Sequence, residues 1–131
     1  MTPSEDVQKA IVDALKADAD VSAIVGVNVI DGDRPIDADC ICFGPVDIVY
    51  EDYDCITLKS ITVQIDCWVG SDGRQRPARA CAEKVAAALH DVDLPLSEYG
   101  LVRLSVGSVR AMIDQDGLSG HGIVSVTAEV E

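Results

Sequence analysis

Aromatic residues make up only 4% of this chain. A core built here must be filled by valine, isoleucine, leucine and alanine. Basic residues are scarce as well: 10 Lys and Arg stand against 23 Asp and Glu, a formal charge of −13. That balance argues against sequence-independent nucleic-acid binding, which needs clustered cations on the phosphates. It argues equally against docking on anionic membranes. No run approaches the ~20 apolar residues of a membrane helix. Met1-Thr2-Pro3-Ser4-Glu5-Asp6 lacks the basic start and apolar core of a signal peptide, so synthesis in a cytosol is expected. The five cysteines are odd in number and irregularly spaced, which makes a poor disulfide framework and fits free thiols. At 48% apolar and 25% charged, the 131 residues fit one ordinary globular domain spanning 1–131.

The chain is organised around Lys59–Asp91. Ile61, Val63, Ile65, Cys67 and Val69 share one parity; Ser60, Thr62, Gln64, Asp66 and Trp68 share the other. Strict period two predicts a strand with one face in a core. Gly70-Ser71-Asp72-Gly73 turns the chain. Pro77 suits a first helical turn, and Ala78, Cys81, Ala82, Val85 and Leu89 recur at helical spacing. The helix is expected to fold back on the apolar face of the strand.

Upstream, Thr2-Pro3-Ser4-Glu5 reads as a capping box with proline at the first helical position. Val7, Ala10, Ile11, Ala14 and Leu15 form the stripe behind it. Asp18-Ala19-Asp20 ends or bends this helix; Val21, Ile24 and Val25 suggest a further turn closed by Gly26. Val27–Ile30 is a short strand, Asp31-Gly32-Asp33 a turn and Arg34–Asp39 an exposed loop. A strand begins at Cys40 and is interrupted at Gly44-Pro45, which suggests a bulge or an edge position. Val46–Tyr50 resumes it, and Glu51–Asp54 is a polar turn. Beyond the helix, Asp93–Ser97 is a linker and Leu101–Ile113 a long extended segment. Asp114-Gln115-Asp116-Gly117 is a hairpin signal, and Ile123–Glu131 the last strand. The order α, β, β, β, α, β, β predicts an α+β domain: a mostly antiparallel sheet with two main helices on one face.

Four groups of residues bear on chemistry. Cys40 and Cys42 share a strand face, while Cys67 and Cys81 fall on core faces; none forms the CxxC or histidine pairs of a zinc site, so buried thiols are expected. Asp31, Asp33, Asp37, Asp39, Asp47, Glu51, Asp52 and Asp54 crowd one stretch, but Pro35 and Ile36 break the EF-hand pattern and leave a solvated acidic rim. His90 ends a helix, where positive charge suits the dipole, and His121 lies between two glycines; neither stands in a nucleophile or phosphate-loop motif. Arg74, Arg76 and Arg79 form the one basic cluster. It reads either as a solvated turn or as a self-contact with the acidic loops of a neighbouring copy, which would favour a closed ring. No catalytic residue, metal or cofactor is expected.

The motifs taken together resemble a known family. The first helix closes on Leu15-Lys16-Ala17-Asp18, followed by Val25-Gly26 and the turn Val29-Ile30-Asp31-Gly32. A long strand ends at Ile65-Asp66-Cys67-Trp68. A helix ends at Ala88-Leu89-His90-Asp91. Asp114–Gly117 and His121–Val124 close the chain. This order is similar to the tail completion, or tail terminator, proteins of long-tailed phages, prophages and gene-transfer particles, over about Glu5 to Val130. One departure is that Asp39 and Cys40 stand where the family often has proline and an aromatic.

The resemblance implies a structural protein, not an enzyme. It implies a ring, usually of six copies, at the head-proximal end of the tail tube. The ring would stop tube polymerisation and meet the head connector, with DNA passing through a negatively charged lumen without specific binding. Its expected partners are itself, the tube protein and the connector protein, in a virion tail assembled in a bacterial host cytoplasm. The turn Gly70–Pro77, the hairpin tip Met112–Gly120 with Met112 and Leu118, and the loop Asp31–Asp39 are the expected contact segments. An adaptor acting through an exposed sheet edge is the alternative. A small metal-dependent enzyme is the third reading.

Overall fold

The computed structural model describes residues 1–35 and 38–131. The expectations for Ile36 and Asp37 lie outside the described residues. Eight elements follow in order: helices α1 (Pro3–Ala17) and α2 (Ala19–Val25), strands β1 (Val29–Ile30), β2 (Cys40–Tyr53) and β3 (Ile56–Trp68), helix α3 (Arg76–Leu89), then strands β4 (Leu101–Ile113) and β5 (Gly120–Val130). The strands form one sheet in the order β1-β2-β3-β5-β4, antiparallel throughout except for β1 against β2. This is the α+β arrangement the sequence pattern predicts.

The first helix starts as its sequence dictates. Thr2 Oγ1 accepts from the Glu5 amide at 3.4 Å, and the Glu5 carboxylate accepts from the Thr2 amide at 2.6 Å. At its far end Asp18 does more than stop the helix. Its carboxylate accepts from the amides of Asp20 and Val21, both at 3.0 Å, and so starts α2. The expected single turn is therefore a seven-residue helix, closed by Gly26 at φ 62°.

The core lies between the helices and one face of the sheet. Ile61, Val63, Ile65 and Cys67 of β3 meet Val124, Val126, Ala128 and Val130 of β5, and all are buried. Val85, Leu89, Ile11 and Leu15 cover them from the helices. Each such aliphatic side chain contributes about 1.5–3 kcal/mol of transfer free energy. α3 comes closest where β5 has no side chains. A Cβ on Gly122 would lie 2.7 Å from the Ala78 carbonyl oxygen and 2.9 Å from Ala82 Cβ. The small residues Ala78 and Ala82 on the helix and Gly122 on the strand thus set the layer spacing at this end.

β2 is interrupted at Gly44-Pro45 as the sequence suggests: the pairing with β3 shifts register between Phe43 and Val46. Its far boundary differs from expectation, because the pairing continues past Tyr50 to Tyr53 against Ile56. A bulge is one of the two ways a strand accommodates proline, and an edge position is the other. Both apply, because β1 pairs only with Ile41 and Cys42. The expected polar turn Glu51–Asp54 therefore shrinks to Asp54-Cys55, and Glu51 and Asp52 belong to the strand. The result is a hairpin whose outer half, from Val46 to Ser60, carries no buried side chain.

Candidate partner-binding surfaces

The three loops expected to contact partners meet at one end of the sheet, opposite the β2–β3 hairpin tip. The Gly70 amide donates to the Asp39 carboxylate at 3.0 Å, and the Gly73 amide donates to the Leu118 carbonyl at 2.9 Å. Arg34 Nη2 donates to Ser119 Oγ at 2.9 Å. Between them lies an open cleft of about 410 Å³, lined by Arg34, Asp39, Gly70, Asp116, Leu118 and Ser119 among others. Asp116 organises its rim: its carboxylate accepts from the Ser119 hydroxyl at 2.6 Å and from the amides of Ser119 and Leu118 at 2.8 and 2.9 Å. Those donations, led by the Ser119 hydroxyl, hold the Asp116 carboxyl down at about 2.

The basic cluster divides. Arg74 bonds Asp72 two residues back, with Nη2 at 2.7 Å and Nε at 2.9 Å from one carboxylate oxygen, and so is engaged within its own turn. Arg76 and Arg79 are exposed and make no ion pair among the described residues. Arg74 and Arg76 flank a shallow apolar patch at Pro77 and Ala80. Asp31 and Asp33 are exposed, and their loop joins the same end through Arg34 and Asp39. Leu118 is 55% exposed at the rim, and Met112 is half-buried on the adjoining strand.

Behind the cleft, the outer face of the sheet carries a packed polar row that sequence spacing did not reveal. Cys40, Trp68, His121 and Met112 are cross-strand neighbours in β2, β3, β5 and β4. The Trp68 and His121 rings stack with centroids 3.8 Å apart and an angle of 11°. Arg34 lies over the Trp68 ring at 4.4 Å from its centroid. Two groups at these separations cannot share a ring face, so Trp68 is enclosed between a cation and an imidazole. His121 Nε2 is 2.8 Å from Asp66 Oδ1, which also accepts from Gln64 Nε2 at 3.0 Å. The stack fastens the Arg34 loop to the sheet and caps Cys40 and Cys42, whose sulfurs are 3.6 Å apart. Burial pushes the Cys40 thiol up to about 12. Period two placed Asp66 and Trp68 on one face, but the register that brings His121 beside them is set by residues more than fifty positions away.

His90 ends α3 as expected, and a further tie positions it. Its Nδ1 accepts from the Val106 amide at 3.0 Å, which requires that nitrogen to be unprotonated, while Nε2 faces Asp91 at 3.3 Å. The His90 ring thus pins the end of α3 to β4. Cys67 and Cys81 are both buried where the helix meets the sheet. Among the described residues, no three His, Cys, Asp or Glu side chains gather in a geometry that could hold a metal ion. Among the described residues, no helix is long and apolar enough to cross a membrane.

Comparisons with known proteins bear on what these surfaces do. No curated protein matches the chain. A chain of a solved structure described as the virion of a native gene transfer agent particle is similar over 98% of this chain and 96% of its own length, with a TM-score of 0.87 and 25% identity. The family described as tail completion protein gp17 matches residues 9–131. The chain belongs to that family and is a structural protein of a phage-type tail.

Proposed function

We propose that this protein, acting as a single domain over residues 1–131, caps the head-proximal end of a tail tube, ends tube polymerisation and joins the tail to the head connector as a ring of about six copies. The observation that carries the reading is the near end-to-end likeness to a chain of a gene transfer agent virion, within a family defined by tail completion. The ring is made in the host cytoplasm and ends in the virion tail. Its partners are further copies of itself, the tube protein and the connector protein. A formal charge of −13 suits a lumen along which DNA slides without being held.

The three-loop end is the partner surface of this reading. Arg76 and Arg79, with Arg74 beside them, Asp31 and Asp33, Met112 and Leu118 all lie on or next to it. Charges of both signs around an apolar rim suit an interface whose register is set electrostatically. The free edge of β2 favours one second reading, an adaptor that accepts a strand from another protein. Catalysis has no comparable support.

The test is solution mass by light scattering over a wide concentration range, with negative-stain images of the largest species and of assembled tail tubes mixed with the protein. A closed ring of about six copies, in solution or on tube ends, is expected. A strict monomer that also fails to bind tube ends overturns the proposal. A one-to-one complex with a single other protein moves it to the adaptor.

A further inference from the structure

We infer that the two free edges of the sheet, β2 and β4, are complementary halves of one head-to-tail contact between copies of this chain. The inference rests on the ring reading and names the surface that would close it.

Both edges are long and open. Among the described residues, no strand pairs with β2 on the side away from β3 beyond Cys42, and none pairs with β4 on the side away from β5. An open edge of this length is a template for another strand, and folded chains usually blunt it. Here both edges carry exposed apolar side chains beside their charges: Val49 and Tyr50 on β2 are 55% and 67% exposed, and Val102 on β4 is 52% exposed.

The charges on the two edges are opposite. β2 carries Asp47, Glu51 and Asp52 and no base; β4 carries Arg103 and Arg110 and no acid. Arg103 is partly engaged by Asp91 at 3.5 Å. Arg110, Asp47 and Glu51 make no ion pair among the described residues. Two like edges meeting would repel, β2 against β2 or β4 against β4. β2 against β4 is the attractive combination, and it is heterologous, so it repeats around a ring.

The topology fixes the sense of the contact. The ladder β2-β3-β5-β4 is antiparallel at every step, so β2 and β4 run in opposite directions within one copy. Rotation about an axis along the strands preserves each strand's direction and each face's radial orientation. The neighbour's β4 therefore meets β2 antiparallel, with the outer faces continuous. Asp47 and Glu51 lie on the outer face of β2, Arg103 and Arg110 on the outer face of β4. The charges consequently fall on the same side of the joined sheet.

Three variants test this on the full chain: Asp47→Arg, Arg110→Glu, and the two combined. Both substituted positions are exposed, and a thermal melt of each variant separates misfolding from lost contact. Self-association is read by sedimentation velocity in solution, or by counting capped tube ends if assembly needs the tube. Each single reversal is expected to weaken assembly roughly tenfold, and the combined chain to recover most of it. A wild-type ring that both single reversals leave intact overturns the edge contact alone, as does a folded combined chain that assembles no better than the singles. Wild-type protein that assembles neither in solution nor on tubes overturns the ring reading and this contact with it.

Discussion

Asp6, in the first turn of α1, accepts a hydrogen bond from the backbone amide of Glu98 at 2.8 Å, ninety-two residues along the chain. The same carboxylate accepts from the amides of Ser97 and Tyr99 at 2.9 and 3.2 Å, and it is 1% exposed. One buried side chain thus satisfies three backbone donors of the linker between α3 and β4. Burial pushes its carboxyl upward; the amides of Glu98, Ser97 and Tyr99 together outweigh that and leave it below its ordinary value near 3.8.

The sign of the pH effect follows. A carboxylate with a depressed folded pKa adds stability above the ordinary carboxylate range and loses it as pH falls through the folded value. Asp6→Asn lowers the melting temperature at pH 7, and the gap to the wild type closes as pH is taken below about 4. Melting curves across pH 2.5–7 check it; a gap independent of pH would contradict the assignment.

Gly122→Ala forces α3 away from β5, because its new Cβ would lie 2.7 Å from the Ala78 carbonyl oxygen. A loss of about 1–3 kcal/mol is expected in urea unfolding. Gly107→Ala is the control. Its nearest neighbour, the Ser125 carbonyl oxygen, is at an ordinary 3.8 Å, and the change stays within about 0.5 kcal/mol.

Trp68 is the chain's one tryptophan, so its emission reports the enclosed ring directly. Arg34→Ala uncovers a ring face and frees Ser119 Oγ from that donor. Emission shifts to longer wavelength and stability falls by about 0.5–2 kcal/mol. Unchanged emission would mean that the Arg34 loop does not cover the ring in solution.

Thiol titration reads the cysteines one by one. Cys55 is exposed at the β2–β3 turn; Cys40, Cys42, Cys67 and Cys81 are buried. In native protein at pH 8, one thiol reacts with a disulfide reagent within minutes, and the other four react only on unfolding. Cys55→Ser abolishes the fast phase.

Much of the fold was legible because half-buried strands and amphipathic helices write their burial into the spacing. Ile61 to Val69 and Val124 to Val130 alternate cleanly since one parity meets helices and the other meets solvent. β2 broke the rule for a physical reason. Its outer half has solvent on both faces, so Glu51 and Asp52 carry no burial pattern and read as turn. The candidate surfaces were legible only as separate loops. That Asp39 meets Gly70, Leu118 meets Gly73 and His121 meets Trp68 depends on strand register across long sequence separations, which local spacing does not encode. His90 does end α3 as its spacing suggests, but its backbone tie to Val106, sixteen residues on, was not legible in the sequence.

The outer half of the β2–β3 hairpin has a consequence for when folding finishes. From Val46 to Ser60 the two strands carry no buried side chain, and at their outer end they pair only with one another among the described residues. Local opening there costs little beyond a few backbone bonds, so this arm exchanges its amide protons well before the β3–β5 centre does. The ordering entropy of the arm is offset in full only when another surface covers Val49 and Tyr50. In the proposed ring, covering this arm would make its final ordering part of assembly, so that folding and ring closure would share their last step.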